Sequence, residues 1–96
     1  MDKLTTTIQR DPLREIVAGR KPVEYRDIKP YWDKRLAGRK CPFLLRLING
    51  MSATAPEATV RIDRIRKNIR TNKYELHIGK VVQVLNWDRR REEPTA

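Results

Sequence analysis

The sequence predicts an α+β protein: a small curved sheet or barrel of about five strands, with two short helices beside a cleft. Three observations lead to this class. The chain has 96 residues, which suits one compact domain with a single core. Several short segments alternate apolar and polar residues, which is the period of a half-buried strand, and two segments switch to the helical period. Glycine and proline residues separate these segments as turn signals.

The first third of the chain contains a strand, a helix and a second strand. Residues 4–8 alternate apolar and polar side chains and predict a strand. Residues 12–18 predict a helix, because apolar side chains recur at i, i+3 and i+4 and a proline occupies the first helical position. Asp11 suits the N-cap of this helix, and Gly19 suits its end. Residues 23–26 return to the alternation of a strand.

The middle of the chain adds a second helix and a third strand. Residues 30–36 predict a helix that begins at a proline, with Gly38 as its stop signal. Residues 42–49 predict a strand with one wholly apolar face, and Arg46 is the one charged residue on its other face. A turn and a loop follow.

The last third is dominated by two further strands. Residues 59–70 fit either a strand or a helix, and we favour a strand with a bulge or turn near Arg64. Residues 74–85 are rich in β-branched side chains and predict a long strand, in which Gly79 marks a bulge or bend.

The domain organisation and the compartment follow from the same pass along the chain. We expect residues 1–88 to form one domain and residues 89–96 a flexible tail, because the tail has balanced charges and no apolar face. The longest apolar run, residues 43–48, contains an arginine, so no segment suits a bilayer core. The first ten residues lack the apolar stretch of a secretory signal. The cytoplasm is therefore the compartment we expect.

Positive charge is the strongest compositional feature. The chain has 22 Lys and Arg against 12 Asp and Glu, a net charge of +10 and a calculated pI of about 10.4. Cations exceed acidic residues in residues 10–46 and again in residues 47–96, so the charge does not belong to a tail alone. A polyanion is the first partner to consider. The alternative is a basic surface that serves solubility only.

Metal-dependent and disulfide chemistry is not indicated. The single cysteine, Cys41, cannot pair within the chain, and with the single histidine, His77, it cannot make a zinc site of four Cys and His ligands. We expect Cys41 to be a small buried residue and His77 a structural one. We expect no cofactor and no metal.

One short motif carries the functional argument. Gly19 permits a tight turn between the first helix and the next strand, and Lys21 follows as a compact cation suited to phosphate or to a base carbonyl. Glu24 and Arg26 lie two residues apart on a strand, so they project to the same face and are expected to pair. Tyr25 lies on the opposite face, where we expect a core or cleft-wall residue. The alternative for this set is an ion-pair cluster on the surface.

The spacing Gly19-x-Lys21-x-x-Glu24-x-Arg26 resembles the GxKxxExR signature of the ASCH (ASC-1 homology) family. The segments KPYWDKRL, PFLLRLINGM and YELHIGKVV match a small phage and bacterial branch of that family in order and spacing. The similarity covers most of residues 4–85 and is weakest over 51–72. It implies a small β-barrel similar to PUA domains, with RNA or a modified nucleoside bound in a cleft beside the motif.

The resemblance also implies two activities. One branch of the family resembles hydrolases that remove an acyl group from the exocyclic nitrogen of cytidine, with the motif Lys, a Thr and a more distant Glu. This chain keeps Lys21 but has Glu24 where that branch has Thr, and Glu57 and Glu75 are the candidates for the distant Glu. Other members are reported as ribonucleases.

The candidate site residues fall into three sets. Lys21 and Glu24 are the catalytic pair if the protein is an enzyme, and Gly19 and Glu24 are the structural residues of the motif. The nucleic-acid-binding candidates carry a positive charge for phosphate or an aromatic ring for base stacking. They are Arg20, Lys21, Arg26, Tyr31, Trp32, Lys34, Arg35, Arg39, Lys40 and Arg46.

These observations favour a nucleic-acid-binding module whose partner is RNA or a single strand, with no membrane partner and a monomeric state. The second hypothesis is a metal-free hydrolase acting on RNA or on an acylated cytidine, with Lys21 as base or nucleophile activator and Glu24 as its proton partner. The third is a protein-interaction module of phage type. The sequence leaves the ligand, its base preference and any catalytic step open.

Overall fold

The structure, a computed structural model, describes residues 1–95 and has an α+β architecture. Two short helices alternate with the first three strands, two long strands follow in the second half of the chain, and a small hairpin comes after the last long strand. In chain order the elements are β1 (Lys3–Thr7), α1 (Arg10–Val17), β2 (Val23–Asp27), α2 (Pro30–Leu36), β3 (Phe43–Ile48), β4 (Glu57–Asn68), β5 (Lys73–Leu85), β6 (Trp87–Asp88) and β7 (Glu93–Pro94).

The five main strands form one curled sheet, a half-barrel, in the order β1-β3-β4-β5-β2. β1 runs parallel to β3, and the other neighbouring pairs are antiparallel. β1 and β2 are therefore the two edge strands. Because the sheet curls, these edges approach each other, and the Arg26 guanidinium in β2 donates a hydrogen bond of 2.9 Å to the Thr7 carbonyl at the end of β1.

Residues 59–68 of the ambiguous segment 59–70 lie in β4 and not in a helix, and residues 69–70 belong to the turn that follows. Its pairing with β5 shifts register three times between Thr59 and Arg64, which confirms the predicted irregularity near Arg64. Gly79 has no partner residue on β4 in the same pairing. Such bulges increase the local twist of a strand, and this curls the long β4–β5 ribbon.

The core lies inside the curl of the sheet, under the two helices. Phe43, Leu45 and Leu47, on the apolar face of β3, are fully buried. α1 contributes Leu13 and Ile16, which are the apolar residues of its i, i+3 pattern. The full set of core residues also includes Leu4, Ile8, Trp32, Leu36, Ala58, Val60, Ile62, Tyr74, Leu76 and Trp87. No helix among residues 1–95 has the length and apolar character needed to cross a membrane.

Two local predictions are wrong. α1 begins at Arg10, and its N-cap residue is Gln9 rather than Asp11. Pro12 is tolerated inside the first turn because the first N–H groups of a helix have no partner within it. Cys41 is exposed rather than buried, since it lies in the connection before β3 and not in the strand.

The C-terminal hairpin contacts α1. β6 pairs with β7, and Trp87 of β6 is buried in the core. Arg14 of α1 donates a hydrogen bond to the Glu92 carbonyl, and Arg20 forms an ion pair of 2.8 Å with the Glu92 carboxylate. Flexibility of residues 89–96 stays a prediction, and Ala96 lies outside the described residues.

Candidate functional site

A cleft of about 670 Å³ lies where the two edges of the curled sheet approach each other. Its walls come from the end of β1, the start of α1, β2, the start of α2 and the start of β5. The lining residues are Thr7, Ile8, Gln9, Pro12, Lys21, Glu24, Tyr25, Arg26, Asp27, Lys29, Trp32 and Lys73. The volume is in the range of pockets that bind small ligands.

The turn after α1 places Lys21 at this cleft. The N–H groups of Arg20 and Lys21 both donate to the Glu15 carbonyl, at 2.9 and 3.1 Å, so the chain turns sharply back over the last helical turn. Gly19 has a φ of 78°, in the left-handed region that glycine adopts without strain. A Cβ at position 19 would meet no atom within 4 Å. The backbone angle, and not the available space, therefore requires glycine here.

Glu24 is the buried anion of the cleft. Its side chain is 6% exposed, and its two carboxylate oxygens face different cations. Oε2 accepts a hydrogen bond of 2.7 Å from Arg26, and Oε1 lies 3.6 Å from the Lys21 ammonium. A buried charge is tolerated only when it is paired, and this pairing confirms that the two strand residues share a face.

Arg26 connects the two edges of the sheet. Its guanidinium contacts Glu24 and the Thr7 carbonyl, and it lies 5.2 Å from the centre of the Trp32 ring. Its Nε atom is buried and makes no hydrogen bond within residues 1–95. These contacts hold the cleft at a fixed width, which makes Arg26 a positioning residue as well as a source of charge.

Lys21 retains donors for a ligand. Its contact with Glu24 is longer than a normal N–H···O hydrogen bond, its side chain is 25% exposed, and its ammonium lies 5.0 Å from the Tyr25 ring. Tyr25 is half-exposed and forms part of the cleft wall. Lys29, also on the wall, forms no ion pair with the described residues.

The rim of the cleft carries an ion pair between Lys73 and Asp27. The hydrogen bond from the Lys73 ammonium holds the pKa of the Asp27 carboxyl below its ordinary value, so the carboxylate stays charged at neutral pH. The cleft wall thus contains four cationic side chains (Lys21, Arg26, Lys29 and Lys73) against two carboxylates (Glu24 and Asp27). This excess of positive charge suits an anionic ligand.

The two neighbouring aromatic residues of α2 have different environments. Trp32 is buried, and it presents to the cleft a ring that Arg26 covers. Tyr31 is 47% exposed, lies just outside the cleft, and contacts Trp32 edge-to-face. Arg35 lies over the Tyr31 ring, 3.4 Å from its centre. Tyr31 is therefore the ring with a surface for stacking, and Trp32 is a packing residue that also forms the floor of the cleft.

Of the ten predicted nucleic-acid contacts, the cleft brings together Lys21, Arg26 and Trp32. Arg20 donates hydrogen bonds to the Glu15 and Glu92 carboxylates, and these bonds raise the pKa of Arg20 and lower the pKa of the Glu15 carboxyl. Arg39 pairs with Asp2 and donates to the Arg35 carbonyl. Lys34 and Lys40 are exposed outside the cleft. α2 turns its charged side chains away from the cleft because Trp32 and Leu36 occupy its buried face.

Neither candidate for a distant catalytic glutamate lines the cleft. Glu75 pairs across the ladder with Tyr25, on the face of β5 opposite Leu76, and contacts Asn68 and Arg66. Glu57 binds the guanidinium of Arg46 through hydrogen bonds of 2.8–3.2 Å. His77 contacts Arg64 at 3.3 Å and lines none of the hollows around the cleft.

Sequence reasoning missed seven of the twelve cleft residues, among them Thr7, Asp27, Lys29 and Lys73, whose side chains can contact a polar ligand. Asp27 and Lys29 directly follow the motif, and their proximity along the chain was an available signal. Thr7 and Lys73 are far from the motif in sequence. They reach the cleft through the curl of the sheet and the β2–β5 pairing, in which Asp27 lies opposite Lys73.

Comparison with known proteins adds no identification: no protein-family model and no curated protein matches this chain.

Among residues 1–95, no three His, Cys, Asp or Glu side chains are grouped in a way that could hold a metal ion. The arrangement that remains is a cationic cleft with a buried carboxylate, a partly exposed lysine and a neighbouring exposed tyrosine.

Proposed function

We propose that the protein binds single-stranded RNA and seats one nucleotide in the cleft between β1 and β2. The observation that carries this proposal is the cleft wall, where four cations exceed two carboxylates beside an aromatic floor. Lys21 and Lys29 contact phosphate, and the base lies toward Trp32. The net charge of +10 attracts the polyanion from a distance.

A single strand suits the site better than a duplex. The cleft is concave and has the volume of a small-ligand pocket, which suits an unpaired nucleotide whose base is free to enter it. The helices have eight and seven residues, and each buries its apolar face against the sheet. Neither is available as a recognition helix for a major groove.

The finer fold assignment belongs to the same proposal. We infer a PUA-like barrel of the ASCH type, supported by the position of the GxKxxExR motif. Its lysine, glutamate and arginine line the cleft beside the edge strands, and its glycine forms the turn that precedes the lysine. Action in the cytoplasm stays a prediction.

A second candidate function is metal-free hydrolysis of RNA or of an acylated cytidine. The observation in its favour is the contact of 3.6 Å between the Lys21 ammonium and the Glu24 carboxylate, which lets a proton pass between them after a small movement. RNA turnover or acetylcytidine turnover that survives EDTA and disappears in Lys21→Ala would establish it. Wild-type protein that leaves both substrates intact would exclude it.

The binding proposal is tested by fluorescence anisotropy with a short labelled single-stranded RNA. Lys21→Ala should weaken binding by roughly 10-fold and reduce the slope of log affinity against log salt by about 0.7, the value of one phosphate contact on a single strand. Lys40→Ala, which removes an exposed lysine outside the cleft, should have a smaller effect. Wild-type affinity that does not depend on salt, or equal losses in the two variants, would refute the proposal.

A further inference from the structure

The cleft is one end of a longer groove. A second hollow of about 450 Å³, here called the middle hollow, shares Thr7, Arg26, Lys29 and Trp32 with the cleft. A third hollow of about 420 Å³, the outer hollow, shares Thr6, Thr7 and Tyr31 with the middle hollow. The three hollows are therefore contiguous around the end of the edge strand β1.

We propose that this groove binds a run of about three nucleotides, one in the cleft and one in each further hollow. The inference rests on the proposed function and extends it, because it assigns two additional subsites and a minimum ligand length. Each hollow lies within the usual size range of a small-ligand pocket.

Tyr31 is the stacking residue between the two additional subsites. It lines both hollows and is 47% exposed. Arg35 covers the ring at 3.4 Å from its centre and donates to the Tyr31 carbonyl, so the ring is held in place from one side. A ring that is fixed before binding stacks on a base with little loss of side-chain freedom.

Arg46 supplies the phosphate contact of the outer hollow. Its Nε and one terminal nitrogen, Nη2, hydrogen-bond to Glu57, which fixes the guanidinium plane. Nη1 has no hydrogen bond to the described residues, and the side chain is 40% exposed. A fixed guanidinium with a free donor is suited to a phosphate oxygen.

The edge strand adds neutral polar groups between these charged positions. β1 has a partner on one side only, so alternate backbone groups of this strand face the groove. Thr5 and Thr7 contribute hydroxyl groups to the outer hollow. Alternating cations, hydroxyl groups and an aromatic ring fit the repeating phosphate, sugar and base of a single strand.

The test uses uridine oligonucleotides of one to five nucleotides, titrated into the full chain by calorimetry and, for weak binding, by NMR. We expect affinity to rise by at least about 10-fold from one to three nucleotides and by less than about 3-fold from three to five. Tyr31→Ala should lower affinity for the trinucleotide by roughly 10-fold and affinity for the mononucleotide by less than about 2-fold, because Tyr31 does not line the cleft and contacts it only through Trp32.

Arg46→Ala has a matched control in Arg61→Ala. Both arginines pair with a carboxylate and have similar side-chain exposure, 40% and 37%, but Arg61 lines none of the three hollows. Only Arg46→Ala should weaken trinucleotide binding, by roughly 5-fold, because it removes one phosphate contact. Equal affinity for one and three nucleotides would overturn the groove and leave the cleft proposal standing. Absence of binding at every length would overturn both.

Discussion

At the residue scale, the cleft depends on how three side chains of one short motif share their charges. The spacing of Glu24 and Arg26 on a strand was enough to predict that they face the same way and pair. It was not enough to predict the hydrogen bond from Arg26 to the Thr7 carbonyl, which forms only because the edge strands meet after the sheet curls. Arg26 is thus both a charge of the motif and the closure between the sheet edges.

Removal of Arg26 should therefore destabilise the fold. In Arg26→Ala, the Glu24 carboxylate, 6% exposed, keeps only its longer contact with Lys21, so we expect a loss of about 3 kcal/mol in the free energy of unfolding. Urea unfolding measures this loss. Arg61→Ala, which breaks an ion pair exposed to solvent, should lower the free energy of unfolding much less. Similar unfolding midpoints for the two variants would contradict the role assigned to Arg26.

At the scale of elements, periodicity predicted each main strand and both helices, because residues that alternate in burial also alternate in polarity. The core face of β3 is confirmed, and so is the strand assignment for residues 59–68 of the predicted segment 59–70. The start of α1 was misplaced because proline is compatible with several positions of a first turn. The pairing of β1 with β3 and the placement of β2 beside β5 depend on contacts far apart in sequence, and no local pattern encodes them.

The attachment of α2 to β5 should depend on pH. Tyr74 of β5 donates a hydrogen bond to Asp33 of α2, and this bond raises the pKa of the Tyr74 hydroxyl above its ordinary value of 10.0. The folded state favours the neutral phenol, so this contribution is complete below pH 10 and is lost as the pH rises through the folded-state pKa. The difference in unfolding free energy between wild type and Tyr74→Phe should shrink above pH 10. A difference that stays constant from pH 7 to 11 would contradict this coupling.

At the scale of the whole molecule, composition predicted a polyanion partner, and the fold adds the concave surface at which we propose that it binds. Many of the 22 basic side chains are already engaged: Arg20, Arg39 and Arg61 all pair with carboxylates outside the cleft. Net charge therefore determines the long-range attraction that we expect for a polyanion, whereas the curl of the sheet determines which few cations lie on a concave surface. This is why the sequence predicted Lys21 and Arg26 as site residues but also included basic residues that lie elsewhere.

An NMR titration of ¹⁵N-labelled protein with a uridine trinucleotide tests the central claim most directly. We predict that the largest shift changes occur at Lys21, at Lys29 and at the Trp32 indole N–H, with smaller ones at Tyr31 and Arg46. The outer face of β4 and β5, around Arg64 and Glu75, should be unaffected. Shift changes confined to that outer face, or none at saturating trinucleotide, would contradict the account.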